Sequence, residues 1–337
     1  MRVVAGDVGG TKTLVSLYDG ERGALVEIAT RRYESAQYPG LAPMLRDFLG
    51  ESHGVEAACI GVAGPVLDDV CHTTNLPWRL DARELEAELG IARAHLVNDF
   101  EAVALGIGEL PDEAFAVLQD RPADPRGVAA VLGAGTGLGQ AILLPSVKEG
   151  ALPVVMPTEG GHTDFAPRDE TEIALLRFLL ERHSRVSFER VVSGPGLEAV
   201  YHFVVASGLA PTSDAFVARL AEASDAAAAI GEAALAKTDD ACVRAVELFV
   251  SIYGSEAGNL ALKTLPRAGL FVAGGIAPKL IDVIRNGTFL RSFRAKGRME
   301  QVLDTIPVRV VLEPRVGLYG ARRAAAAMVA GTLVLDR

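Results

Sequence analysis

A run of apolar residues near the N-terminus leads into one acid and then a glycine turn: Val4-Ala5-Gly6-Asp7-Val8-Gly9-Gly10-Thr11-Lys12-Thr13. Glycines let a turn take positive φ and bring bare backbone N–H groups close to a ligand. Such a turn suits phosphate, and Asp7 beside it suits a magnesium ion riding on that phosphate. The alternative is an Asp that closes a tight hairpin through its own backbone. A second acid, Asp99, follows Asn98 at the end of the apolar run Ala94-His95-Leu96-Val97. Open α/β sheets place ligands at the carboxyl ends of their strands. An Asp there can accept a proton from a substrate hydroxyl, or either residue can be the N-cap of the next helix.

Further polar groups sit in glycine-rich surroundings. Glu159 and His162 flank two glycines in Thr158-Glu159-Gly160-Gly161-His162, a pattern with no stable helix in it. Together they could grip a polyhydroxy substrate, or simply face solvent. A single His with no Cys or second His nearby is a poor metal site. Glu189 could bind another hydroxyl, or be a first-turn acid on a helix dipole. Gly274-Gly275 after Leu270-Phe271-Val272-Ala273 could admit a flat adenine or ribose, or be an ordinary turn. Together these groups read as a kit for a nucleotide and a polyol, hence phosphoryl transfer to a sugar hydroxyl.

The elements that must hold them follow from pattern. The opening run, its Gly-Gly-Thr turn and Leu14-Val15-Ser16-Leu17-Tyr18 predict a β-hairpin. A P-loop and a Rossmann turn both open a helix, so neither applies. The pattern recurs: Val128 to Leu132 is a strand, Gly133-Ala134-Gly135-Thr136-Gly137 a second turn, and Leu138 to Leu144 a returning strand. Duplication implies two similar lobes closing on one nucleotide. Leu25 to Ala29 reads as an edge strand and Ala57 to Ala63 as a buried one. Helices are predicted over 39–49, from an Asp81-Glu84 capping box to Gly90, over 99–106, 170–181, 197–205, 214–235, 239–262, 278–284 and 317–330. Ser193-Gly194-Pro195-Gly196 reads as a break after a short helix holding Glu189. Val308 to Leu312 is the last strand, and the whole is α/β.

The chain has 337 residues, a soft prior for two domains, and a formal charge of −10 with no basic run, which argues against a nucleic-acid partner. Cys59, Cys71 and Cys242 form neither a disulfide framework nor a zinc set, as suits the reducing cytoplasm. The uncharged stretch from Gly127 to Val147 carries too many glycines for a membrane span.

With these residues in place, the chain resembles the bacterial ATP-dependent glucokinases of the sugar kinase/actin-like superfamily. The matching stretches, in family order, are Gly6 to Thr11, Asn98-Asp99-Phe100-Glu101-Ala102, Gly133 to Gly139, Glu159 to Pro167, Glu189 to Leu197, Ala273-Gly274-Gly275-Ile276, Lys296-Gly297-Arg298-Met299 and Gly317-Leu318-Tyr319-Gly320-Ala321. The resemblance implies a two-lobed actin-like (ribonuclease H-like) α/β fold with duplicated βββαβα-type lobes and a central cleft. The small lobe would be residues 1–109 plus 314–337, the large one 110–313. It implies that ATP with Mg2+ phosphorylates the 6-hydroxyl of glucose. Asp99 would be the general base, and Asn98, Glu159, His162 and Glu189 would bind other sugar hydroxyls. Asp7 would organise magnesium; Gly9, Gly10, Thr11, Lys12, Gly135, Thr136 and Gly137 would hold phosphates; Gly274 and Gly275 would face adenosine. A cytoplasmic homodimer is also implied. Lys12 stands where close relatives often carry Asn, and the Cys-rich zinc motif of the wider repressor/kinase group is absent after His162. Alternatives are a kinase for mannose, fructose or an amino sugar, or a sugar-sensing protein on the same fold. Trp78, the sole tryptophan, is expected near the cleft or in the core.

Overall fold

A computed structural model gives the opening motif the hairpin its pattern demands. Strand β1 (Arg2–Val8) returns as antiparallel β2 (Lys12–Glu21), with Asp7 opposite Leu14. The structure describes residues 1–21, 23–50, 54–73, 76–146 and 151–333; Thr74 and Asn75 before Trp78, and Val147 at the end of the uncharged stretch, lie outside them. Two units emerge: Met1–Ala114, Leu143–Pro157 and Glu313–Arg337 form the first, and Phe115–Ile142 with Thr158–Leu312 the second.

In the first unit β3 (Ala24–Glu34) is indeed the edge strand, followed by α1 (Leu41–Leu49) and β4 (Ala57–Val62). A small antiparallel sheet comes next, of β5 (Val66–Leu67), β6 (Val70–His72) and β7 (Arg79–Asp81). Then come α2 (Ala82–Leu89), β8 (Arg93–Asn98) and α3 (Asp99–Gly106). The main sheet runs β3-β2-β1-β4-β8, with β4 parallel to both β1 and β8. Side chains alternate across a strand, so each sequence serves two layers. Val4, Val8, Ala58, Ile60 and Val62 pack with Leu41, Met44 and Leu45 of α1 and Leu85 of α2. Val3, Ala5, Ala57 and Cys59 pack instead with Ala102 and Leu105 of α3 and with the C-terminal helix Val316–Val329. All six β4 residues are buried, as a strand covered on both faces requires. Trp78 is a core residue here, only 4% exposed among Cys71, Leu80 and their neighbours.

Small residues set the closest helix contact. A Cβ on Gly320 of the C-terminal helix would collide with the Ala102 carbonyl oxygen on α3, and one on Gly106 with the Val316 carbonyl oxygen. Gly320→Ala is therefore expected to destabilise the protein by about 1–3 kcal/mol, the usual cost of overpacking. Thermal melts check this; an unchanged melting temperature would mean the two helices stand further apart.

The second unit repeats the plan. It begins with β9 (Phe115–Gln119), then β10 (Ala129–Ala134) and β11 (Leu138–Leu144), joined by three residues and so necessarily antiparallel; β12 (Val154–Thr158), which up to Pro157 counts with the first unit, follows in the chain. Helices α4 (Glu170–Leu180), α5 (Gly194–Ala206), α6 (Asp214–Glu222), α7 (Ala226–Ala236) and α8 (Asp240–Thr264) precede β13 (Gly269–Ala273). Short α9 (Ile276–Lys279), α10 (Ile281–Val283), α11 (Phe289–Arg294) and α12 (Glu300–Leu303) lead to β14 (Val308–Val311), and Val316–Val329 is α13. The sheet order β12-β11-β10-β13-β14 mirrors β3-β2-β1-β4-β8, with antiparallel β9 added beyond β14. The duplicated α/β fold expected from the two hairpins is present.

Local expectations differ at four places, the first three for a capping reason. Ser193-Gly194-Pro195-Gly196 starts α5 rather than breaking a helix: Ser193 Oγ accepts from Gly196 N at 3.1 Å, and Pro195 fits the first turn, where no donor is needed. The predicted helix 214–235 is two, because Asp225 caps α7 by accepting from Ala228 N at 2.9 Å. Asp81 caps α2 through Arg83 N, but Glu84 pairs with Arg79 instead of completing the box. The helix expected over 278–284 is broken into α9 and α10, and the chain turns on through Gly287 at φ 97°. Among the described residues, no helix is long and apolar enough to cross a membrane.

Candidate active site

The two acids of the first unit end neighbouring positions of the same sheet edge. β1 and β8 flank β4 in parallel, so Asp7, one residue from the end of β1, and Asp99, one residue beyond β8, both lie at the carboxyl edge. Asn98 takes the capping duty: its Oδ1 accepts from Phe100 N at 2.9 Å, while its Nδ2 donates to the Gly64 carbonyl at 3.0 Å. Asp99 is thus the first residue of α3, with Oδ1 accepting from Phe100 N at 2.8 Å. Burial, and then the charge of Asp99, push the Asp7 carboxyl up to about 6 from an ordinary 3.8. A buried carboxylate whose proton affinity a second acid raises further calls for a cation. Among the described residues no three acidic, His or Cys side chains gather into a cluster that could enclose a metal. A magnesium ion at this edge would be held by Asp7 and, for the rest, by phosphate and water, as is usual for this ion.

The Gly9-Thr11 turn is buttressed by a residue that sequence reasoning missed. Ser35, fully buried after β3, donates from Oγ to the Gly9 carbonyl at 3.0 Å and from its N–H to the Thr11 carbonyl at 2.9 Å. Thr13 Oγ1 lies 3.0 Å from the same hydroxyl. Its only sequence signal was a lone Ser ending the strand that pairs with β2. The Gly9 N–H donates to the Lys12 carbonyl at 3.0 Å, and the Thr11 and Lys12 side chains are exposed.

In the second unit, the Gly135-Gly137 turn and Gly274-Gly275 are brought together by Tyr253 of α8. Its buried hydroxyl accepts from Ala134 N at 3.0 Å and donates to the Ala273 carbonyl at 3.4 Å. Gly274 sits at φ 82°, and a Cβ there would press on the Ala134 backbone, so only glycine fits; the space beside Gly275 is open. The Thr136 side chain is exposed. Gly194, opening α5, donates to the Gly135 carbonyl at 2.8 Å.

Glu159, His162 and Glu189 converge in this unit. His162 Nε2 lies 3.8 Å from Glu159 Oε2, and its Nδ1 3.8 Å from Glu189 Oε1. The loop expected at 158–162 includes one 3-10 turn, Gly160–His162, closed by Thr163 N to the Gly160 carbonyl at 3.1 Å. Glu189 does more than its sequence suggested: Oε2 accepts from Leu138 N at 2.9 Å, so one carboxylate touches both the second glycine hairpin and His162.

A repeated sheet that carries a glycine–threonine hairpin in each unit, with paired acids at a strand edge, defines the sugar kinase version of the α/β fold. The solved glucokinase of an Antarctic psychrotroph matches 96% of this chain and 98% of its own, with a TM-score of 0.82 and 29% identity. A ROK family glucokinase from Streptomyces griseus, solved with glucose and AMPPNP, shares the fold at a TM-score of 0.63 and 22% identity, over 96% of this chain and 99% of its own. The family model named Glucokinase matches residues 4–328, and the chain belongs to that family of ATP-dependent phosphotransferases. The glucokinases of Nostoc punctiforme and Synechocystis sp. are 44% and 45% identical to it over 96% of this chain and 98% and 97% of theirs.

Proposed function

We propose that this chain makes glucose 6-phosphate, with Asp99 as the base that takes the proton of the sugar 6-hydroxyl while the γ-phosphate of ATP is transferred. The observation that carries this is the Asp7–Asp99 pair at one sheet edge beside a glycine–threonine turn. Phosphoryl transfer asks the protein for alignment, charge neutralisation and a base, and little covalent chemistry. The turn Gly9-Gly10-Thr11, with Lys12, and the turn Gly135-Thr136-Gly137 bind phosphates, while the N–H groups of Gly9 and Gly135 close the turns by donating to the Lys12 and Gly137 carbonyls. Gly274 and Gly275 admit the nucleoside. Magnesium at Asp7 supplies charge neutralisation to the phosphates when bound. Asn98, Glu159, His162 and Glu189 bind the remaining sugar hydroxyls, each matched polar group rejecting a sugar that leaves it unpaired by about 1–3 kcal/mol. Cytoplasmic location and a homodimer complete the proposal.

A coupled kinase assay with ATP over a panel of hexoses tests the substrate. Glucose is expected to give the highest kcat/KM; a preference for mannose, fructose or an amino sugar would reassign it. In the same assay Glu159→Gln and His162→Ala are expected to raise the KM for glucose by roughly tenfold or more, as loss of a charged hydrogen-bond partner does. Unchanged KM in both folded variants would remove these residues from the sugar site.

A further inference from the structure

Glu256 of α8 is a wholly buried acid that the proposed mechanism leaves unused, and the Lys296-Gly297-Arg298-Met299 stretch is likewise unassigned. Both belong to one polar network in the second unit. Gln140 of β11, 4% exposed, donates from Nε2 to Glu256 Oε1 at 2.8 Å. Asn259, one turn along α8, donates from Nδ2 to Glu256 Oε2 at 2.9 Å. Lys296 Nζ donates to Asn259 Oδ1 at 2.6 Å and to Ser255 Oγ at 3.3 Å, bringing a cation to a buried carboxylate. Burial of an acid costs heavily unless it is hydrogen-bonded and its charge answered; here both carboxylate oxygens are hydrogen-bonded, and burial still pushes the Glu256 carboxyl up, only partly offset by Lys263 and Lys296.

The other end of the network is the Glu159–His162 loop. Thr158 Oγ1 donates to the Gln140 carbonyl at 3.3 Å and accepts from Gly160 N at 3.2 Å. The Gln140 amide lies directly under Gly160: a Cβ at Gly160 would collide with Gln140 Oε1 and Cδ. An amide at the end of a free side chain would swing away, but this one is pinned by Glu256. Gly160 lies between Glu159 and His162, so the height of that amide sets the backbone from which both project.

We propose that Gln140, pinned by Glu256, is a positioning residue of the glucose loop, setting the backbone of Gly160 and with it the sugar affinity supplied by Glu159 and His162. The inference rests on the reading of Glu159 and His162 as sugar ligands. It separates binding from chemistry, because Gln140 touches neither glucose-binding side chain nor the base. Lys296 and Asn259 act one step further out, by orienting the buried carboxyl group through the Asn259 hydrogen bonds.

Steady-state kinetics on four variants of the full chain test it, with melting curves to confirm folding. Gln140→Ala is expected to raise the KM for glucose roughly tenfold. Its KM for ATP and its kcat should stay within about twofold, a change under half a kcal/mol. Gly160→Ala should raise the glucose KM in the wild-type background, where the new methyl meets a fixed amide. It should cost clearly less in the Gln140→Ala background, where the space is vacant, since residues in contact are not additive. A role confined to general stability would instead give additive losses that follow the melting temperature. The inference is overturned if Gln140→Ala leaves glucose KM unchanged, if kcat and both KM values move together, or if Gly160→Ala costs the same in both backgrounds. Glu159→Gln measured alongside separates the two failures. Unchanged glucose KM there removes the sugar-loop reading and this inference with it, whereas a raised KM there and not in Gln140→Ala removes this inference alone.

Discussion

Replacing Asp99 with Asn is expected to lower kcat by ~10²–10⁴-fold, the usual contribution of a general base, while glucose binding and the melting temperature stay near wild type. The structure makes this a clean experiment. Helix α3 is capped by Asn98, whose Oδ1 accepts from Phe100 N and Glu101 N, so the substitution leaves the cap in place. Asn also retains an oxygen where Asp99 Oδ1 accepts from Phe100 N. What it removes is the negative charge and the capacity to take a proton. The charge on Asp99 is one of the two causes that raise the Asp7 carboxyl, so the variant should also leave Asp7 easier to ionise. Stopped-time assays with saturating ATP and glucose, with equilibrium glucose binding measured separately, check the split. A variant that keeps more than about a tenth of the wild-type rate would reduce Asp99 to a helix residue.

What the sequence disclosed and what it withheld divide along a physical line. The hairpin at Gly9-Thr11 and its counterpart at Gly135-Gly137 were legible because a strand, a glycine turn and a returning strand are local patterns. The alternation that assigns Val4 and Ile60 to one layer and Ala5 and Cys59 to the other is local too. Asn98 and Asp99 were both candidates for one cap, and the sequence could not separate them. The structure does: Asn98 Oδ1 accepts from both Phe100 N and Glu101 N, and Asp99 is the first residue inside the helix. Ser35, Tyr253 and Gln140 were invisible for a different reason. Each is an ordinary residue in its own segment, and its importance comes from partners 26, 119 and 116 positions away. Glu189 was found as a candidate, yet its bond to Leu138 N depends on the same kind of distant pairing. The helix break at Asp225 was missed, and the helix start at Ser193 read as a break, because a run rich in alanine, and a Gly-Pro-Gly run, hid capping residues whose role shows only when the next N–H groups point at them.

Replacing Asp7 with Asn is expected to stabilise the protein at neutral pH while abolishing its activity. The carboxyl of Asp7 is raised from 3.8 to about 6, first by burial and then by Asp99. In the unfolded chain it gives up its proton near its ordinary value; in the folded chain it holds the proton to higher pH. Between roughly pH 4 and 6 the folded state therefore binds more protons than the unfolded one, and stability falls as pH rises. The favourable contribution is fully present below about pH 4 and is gone above about pH 6. At pH 7–8 the wild type thus carries an ionised acid in a site that disfavours it, at a cost of roughly 2–3 kcal/mol. Asn has no charge to bury. The variant should melt higher than wild type at neutral pH, and the two curves should converge as the pH approaches about 4. Melts are run without magnesium or nucleotide, because a cation at Asp7 would relieve the repulsion. Adding magnesium with ATP should then raise the wild-type melting temperature more than that of the variant, since only the carboxylate answers the ion. Equal melting temperatures at pH 8, or a variant less stable than wild type there, would show that Asp7 is held by favourable contacts rather than against repulsion. In that case the two acids would be a structural pair, and the charge needed to draw a metal-bound phosphate to this edge of the sheet would have to come from elsewhere.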